Sequence, residues 1–247
     1  MALANGVLVH GPTAWACAIR TDDGELKVAA ERKRFRAADV GTPLLRGPAR
    51  LLEAFAVIPE LRRALPDAKL PFQRPAVIAS MLSSAAAVKL VRGSPRVGPA
   101  AQELVSALLS VAPAALSLRG SDVAGYHGAE HISIGTYEHG EERAKEHERC
   151  GSHLVGPLLA TTAVANALAG KAPPHLRNAA RLAGQLGAVG ASTEIFAWMV
   201  RNPDSRVARA LAKPGHELQH RLATTEPTAE QLEVAEAALS ACLALET

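Results

Sequence analysis

The sequence predicts a mainly α protein (α+β), a helical bundle with a small antiparallel β unit at its N-terminus. Three observations carry this. Of the 247 residues, 48% are hydrophobic but only 3% aromatic, so the core is built largely from Ala, Leu and Val, and Ala and Leu favour helix. Two apolar runs near the start flank Thr21-Asp22-Asp23-Gly24, and Asp-Gly accepts the positive φ of a tight hairpin turn. From Pro43 onward the apolar residues fall at helical spacing.

Taken in order, Val7 to His10 reads as a strand, Gly11-Pro12-Thr13 as a turn, Ala14 to Arg20 as a second strand and Leu26 to Glu31 as a third. His10 reads as a turn residue. Gly47 to Leu65 carries Leu51, Leu52, Phe55, Ile58 and Leu61 at amphipathic spacing, and Pro59 kinks or splits it. Pro66, Pro71 and Pro75 form a rigid linker. Ala-rich helices follow at Ala76 to Val91 and Gly98 to Ser117, with Pro113 a point where the second can end early. Further helices are expected at Gly156 to Leu168, Pro174 to Leu186 and Ala191 to Val200. A last one begins at Thr228, where Gln231 completes a capping box. The β unit (5–36) is too small for its own core. One domain, 1–247, is therefore expected, with the helical body at 43–247.

Composition narrows the function. With 27 basic and 24 acidic residues the net charge is +3, too balanced to argue for a nucleic-acid partner. The run Arg32-Lys33-Arg34-Phe35-Arg36 reads as a solvated edge or loop, with a phosphate or nucleic-acid contact as the alternative. Cys17, Cys150 and Cys242 are odd in number and widely spaced, so no disulfide framework is expected, and the usage fits a cytoplasmic protein. The first residues lack the pattern of a signal peptide. Uncharged runs at 75–88, 104–118 and 154–170 fall short of the ~20 apolar residues of a typical span. They read as buried helices, so membrane association is possible but not favoured. The oligomeric state is left open.

The chemistry concentrates in one window, 122–153. Five of the nine histidines, His127, His131, His139, His147 and His153, lie there with several carboxylates and Cys150. Imidazole, carboxylate and thiolate at this density suit a transition metal. On a helix His127 and His131 point from one face, with Glu130 beside it. The order H-x-x-E-H is the inverted zincin pattern, in which two imidazoles hold zinc and the Glu activates water. Gly128 disfavours a long regular helix through the motif. Glu138 lies two turns beyond His131, although Gly135 and Gly140 make that continuation uncertain. His147 and Cys150 form an H-x-x-C pair, and no second cysteine pair exists to complete a zinc finger. Cys150 is thus a metal ligand or, alternatively, a nucleophile with His147 as its base. His216, Gln219 and His220 are polar and could approach the site, with a solvated helix face as their default reading. No Walker loop, G-x-S-x-G elbow or dinucleotide fingerprint is present.

These residues carry a family resemblance. The segment Tyr126-His127-Gly128-Ala129-Glu130-His131-Ile132, then Tyr137-Glu138, then His147-Glu148-Arg149-Cys150-Gly151-Ser152, resembles the YqhQ-like family, a domain of unknown function labelled a predicted metal-dependent enzyme. Asn5 to Pro12, Thr42 to Gly47, and the C-terminal Leu218-Gln219, Leu222 and Thr224 to Pro227 resemble its other conserved-order segments. Asn5 stands where an acidic residue is expected, and Ser152-His153 where the family has Thr-Ser. The resemblance implies a metal site among His127, Glu130, His131, Glu138, His147 and Cys150. Relatives carry long apolar helices between these motifs and are membrane proteins; here those runs are shorter and rich in Ala, so the chain reads as a soluble, diverged member.

The expectation is therefore a metal-dependent enzyme acting on a small molecule. Zinc-type hydrolysis stands ahead of iron-dependent oxidation. His127 and His131 are ligands, the third ligand is Cys150, His147 or Glu138, and Glu130 is the base, or a ligand if the ion is iron. The alternative is a non-catalytic factor for assembling or binding membrane proteins, with the window a structural polar core.

Overall fold

The computed structural model describes residues 1–118 and 122–247, and within the helix at 99–118 not the side chains at 99, 100, 103, 104, 107, 111 and 115. Three strands, β1 (Gly6–His10), β2 (Ala14–Arg20) and β3 (Leu26–Arg32), form an antiparallel sheet in the order β1-β2-β3. Its register pairs His10 with Trp15 and Arg20 with Leu26. Gly24 closes the second hairpin at φ 86°, the left-handed conformation that turn requires.

Both faces of this sheet are covered, which explains the unbroken apolar run of β2. Successive side chains alternate between faces. Val7, Val9, Ala16 and Ala18 point to one face, against Val123, Tyr126 and Ala129 and against Val234, Ala235 and Ala238. Leu8, Trp15, Cys17 and Ile19 point to the other, against Val57, Leu61, Leu65 and Leu70. Trp15 is fully buried and its indole N–H donates to Glu60 Oε2 at 3.0 Å, satisfying the one polar atom such burial would strand.

The helical part starts with α1 (Arg46–Ala56) and α2 (Ile58–Ala64). Pro59 sits in the first turn of α2, where a missing N–H costs nothing, so the expected split occurs there. Leu51, Leu52 and Phe55 are exposed, and α1 buries Gly47, Ala49 and Glu53 instead. Glu53 accepts from Lys33 Nζ at 2.8 Å and from Ala37 N at 2.8 Å. Lys33 is thus buried and paired, contrary to its reading as part of a solvated edge.

Two hairpins follow: α3 (Pro75–Gly93) with α4 (Pro99–Leu118), and α6 (Val155–Gly170) with α7 (Arg177–Arg201). Pro113 does not end α4, which runs on to Leu118, and α7 is one helix where two were expected. The expectation that the apolar runs are buried fails for α3 and α6. Only 11% of the apolar window in 75–93 and 22% of that in 151–170 is enclosed, and both are long and apolar enough to cross a membrane. At 1.5 Å per residue α3 is about 28 Å long, close to the thickness of a hydrocarbon core. Leu82, Leu90, Val164 and Leu168 stand largely free on these helices. The run 104–118 falls partly outside the described residues.

Helix α9 (Ala229–Glu246) lies across all three strands, and α5 (Val123–His139) packs against α9 and β1. The expected capping box is present: Thr228 accepts from Gln231 N at 3.2 Å, while Gln231 Oε1 accepts from Thr228 N at 3.0 Å. Helix α8 (Arg206–Leu218) ends in a π-helical turn at 219–223, from which the chain crosses α5.

Candidate metal centre

Helix α5 is unbroken through His127 and His131, so Gly128 does not interrupt it. Its role is packing. A Cβ there would lie 2.2 Å from the carbonyl oxygen of Thr225, where the segment after the π turn crosses the helix. Thr225 N donates to Ala124 O at 3.0 Å and locks that crossing. Gly140, at φ 72°, ends α5, its N–H bonding Thr136 O at 2.8 Å, and turns the chain back along the helix. This reversal brings Cys150 to the two histidines.

His127 Nε2 lies 3.5 Å from Cys150 Sγ. The two imidazoles are 4.3 Å apart between centroids. One ligand atom from each of His127, His131 and Cys150 lies within 4.8 Å of the others. The far side of each ring is tied to backbone. His127 Nδ1–H donates to Ala223 O at 2.9 Å and His131 Nδ1–H to Lys145 O at 2.6 Å. Those bonds fix the tautomer and leave each Nε2 lone pair free, the arrangement found behind metal-bound histidines.

Without an ion, a proton on Nε2 of His127 takes its place and donates to the Cys150 sulfur. Burial pushes the Cys150 thiol up, but bonds from His127 and His131 and the charge they carry bring it down to about 5. Burial pulls His127 down, and its contact with Cys150 and the charge of Glu130 lift it above the ordinary imidazole range. Glu130 is pushed up by burial, then held below the carboxylate range by the Met1 ammonium first and the two imidazoles after it. One of its oxygens bonds that ammonium. The other, Oε2, is buried without a hydrogen-bond partner among the described residues.

Glu138 and His147 stand outside this trio. Glu138 forms an ion pair with Arg149 and accepts from His147 Nε2 at 3.2 Å. His147 Nδ1 accepts from Arg149 N at 3.2 Å, so both ring nitrogens are engaged. The imidazole beside Cys150 is that of His127. His139 bonds its own helix, through Gly135 O at 2.9 Å, and His153 Nδ1–H donates to Glu148 O at 2.9 Å.

Gln219 is fully buried, against its reading as part of a solvated face, while His216 and His220 on the same stretch are exposed. Its amide binds the Cys150 loop at several points. Oε1 accepts from His147 N at 2.8 Å, and Nε2 donates to Ser152 Oγ at 2.7 Å and to His153 Nε2 at 3.2 Å. Its polar character near the C-terminus and its place in the C-terminal segment of the family resemblance were the sequence signals for it.

The family model for "Protein of unknown function (DUF1385)" matches residues 73–245, which hold α5, the Cys150 loop and Gln219. The chain belongs to that family. The DUF1385 match leaves the β unit and α1 outside its bounds, although β1 and β2 supply one wall of the core against which α5 rests. No curated protein and no solved structure matches the chain.

Proposed function

We propose that His127, His131 and Cys150 hold a divalent transition metal, zinc ahead of iron, and that the protein is a metal-dependent enzyme hydrolysing a small molecule. The observation that carries this is the convergence of two tautomer-fixed Nε2 atoms and one thiolate-prone sulfur within 4.8 Å. A His₂Cys donor set fits zinc and leaves a fourth tetrahedral position, as catalytic zinc sites do. An iron facial triad needs a carboxylate in place of the sulfur; Glu138 is engaged by Arg149, and Glu130, the carboxylate expected for iron, has one oxygen on the Met1 ammonium. When bound, such an ion supplies Lewis acidity and acidifies a water molecule. Glu130, ionised and buried with Oε2 unpartnered among the described residues, would be the carboxylate able to accept a proton there. The likeness to the YqhQ-like family, with its metal-dependent label, supports the same reading.

The test is metal content of protein purified without a polyhistidine tag. One zinc per chain, lost in His127→Ala and His131→Ala with the helical signal intact, supports the proposal. A metal-free chain whose activity survives chelation and is abolished by alkylating Cys150 replaces it with thiol catalysis, His127 acting as the base.

A second reading has its own observation, the exposed apolar lengths of α3 and α6. On it the protein is a non-catalytic factor for membrane-protein assembly or binding, and the polar cluster is structural. Metal-free protein that fractionates with membranes favours this over the enzyme.

A further inference from the structure

A cleft of about 440 Å³ lies between α1, the loop carrying Arg149 and the C-terminal end of α7. Two features build it. Gly47 lets α1 approach α7 so closely that a Cβ there would fall 1.9 Å from Thr193 Oγ1. Leu44, at φ 68°, takes a left-handed conformation uncommon for a branched side chain and donates its N–H to Glu194 Oε1 at 3.2 Å, seating the entry to α1 on α7. The cleft is therefore held by close packing and a strained turn.

Its lining is divided in chemistry. Arg46, Arg50, Arg149 and Arg201 surround it together with the carboxylate of Glu194, and Leu51 and Phe196 are among its apolar walls. Two of the four guanidinium charges are matched: Arg46 pairs with Glu194 and Arg149 with Glu138. Arg50 and Arg201 have no carboxylate within salt-bridge distance among the described residues, and both are exposed. Arg201 also lies within electrostatic reach of Glu194, so four guanidinium groups face the carboxylates of Glu194 and Glu138, and this surplus of positive charge beside an apolar wall complements a ligand with a dianionic head and an apolar tail. A phosphomonoester carries a charge of about −1.5 to −2 near neutral pH and presents oxygens that guanidinium forks bind in pairs.

We propose that this cleft is a binding site for a phosphomonoester bearing an apolar chain, the phosphate held by Arg50 and Arg201 and the chain lying on Leu51 and Phe196. Its place fits that ligand. Val200 and Leu154, at the base of the α6–α7 hairpin, also line it, and α1 beside it exposes Leu52 and Phe55 to solvent. The head group is thus held where charged and apolar surfaces meet. The cleft adjoins the Cys150 loop through Arg149, but the proposal does not require a bound metal and its test needs no catalysis.

Calorimetric titration of the full-length protein with hexyl phosphate, inorganic phosphate and 1-hexanol decides it. Hexyl phosphate is expected to bind at least about tenfold more tightly than either fragment, and Arg50→Ala/Arg201→Ala to weaken it by about tenfold or more. Equal binding of hexyl and inorganic phosphate, or an unchanged affinity in the folded double variant, overturns the site. Should that variant fail to fold, Arg50→Gln alone carries the test, with a loss of about threefold or more expected and no loss overturning it. Dihexanoyl phosphatidate separates the two sources of this chemistry. Binding tighter than that of hexyl phosphate assigns the site to a lipid head group, and equal or weaker binding assigns it to a soluble phosphomonoester.

Discussion

The side-chain amide of Gln219 grips the backbone of His147 from both sides, accepting its N–H at 2.8 Å and donating to its carbonyl at 3.3 Å. Seventy-two residues separate the two in sequence. This contact, with those to Ser152 and His153, holds the loop that presents Cys150 to α5. Replacing Gln219 with Leu strands a buried N–H and a buried carbonyl, a loss of about 1–3 kcal/mol. Denaturant unfolding of Gln219→Leu is expected to show that loss, with reduced metal retention. A variant of unchanged stability would mean the loop is held by other contacts.

The ligand set is expected to be selective. His127→Ala and His131→Ala should lose bound metal, and Cys150→Ser should bind it more weakly, because a neutral hydroxyl replaces an anionic sulfur. Glu138→Gln should keep full stoichiometry, since its carboxylate is occupied by Arg149 and His147. Elemental analysis of the four variants checks this. Metal loss in Glu138→Gln would move the centre toward His147.

His10 gives a pH dependence. Burial, then the Met1 ammonium and Lys33, hold it down at about 3, with Glu130 opposing them. Between that value and the ordinary 6.5 the unfolded chain binds a proton that the folded chain does not. Unfolding is therefore favoured progressively as pH falls through this window, and stability is regained as pH rises. Both ring nitrogens lack partners among the described residues, so no hydrogen bond opposes the trend. His10→Leu is expected to flatten the acid side of the stability curve. Equal slopes for the two proteins from about pH 6 to pH 4 would contradict it.

Gly128 supplies a steric prediction. With the Thr225 carbonyl 2.2 Å from any added Cβ, Gly128→Ala must push the crossing segment off α5. Overpacking of this kind costs about 1–3 kcal/mol. Because Ala223, just before that segment, holds His127 in place, metal affinity should fall as well. Gly140→Ala, in open space at positive φ, should cost about 1–2 kcal/mol and leave the centre intact. Thermal unfolding with metal analysis of both variants separates the two effects.

Much of this was legible in the sequence because it is local. The apolar strand runs, the Asp-Gly turn, Pro59 at a helix start and the Thr228–Gln231 box depend on residues a few positions apart, whose preferences survive any packing. The four-residue spacing of His127 and His131 belongs to this class, since any helix through them puts both rings on one face. Long-range contacts were less legible. Glu138 shares that face by spacing, yet Arg149 and His147 engage it. Gln219 is one more polar residue on a helix by pattern, and only the π turn that carries it inward makes it a brace.

Sequence alone thus determined the helical class, the strands and their turns, and the chemical set from which a centre is drawn. Tertiary structure decided which members meet, because convergence depends on how loops close and what packs beside them. It also decided that α3 and α6 show apolar faces outward. Hydropathy records how apolar a helix is, and burial depends on whether another surface reaches it.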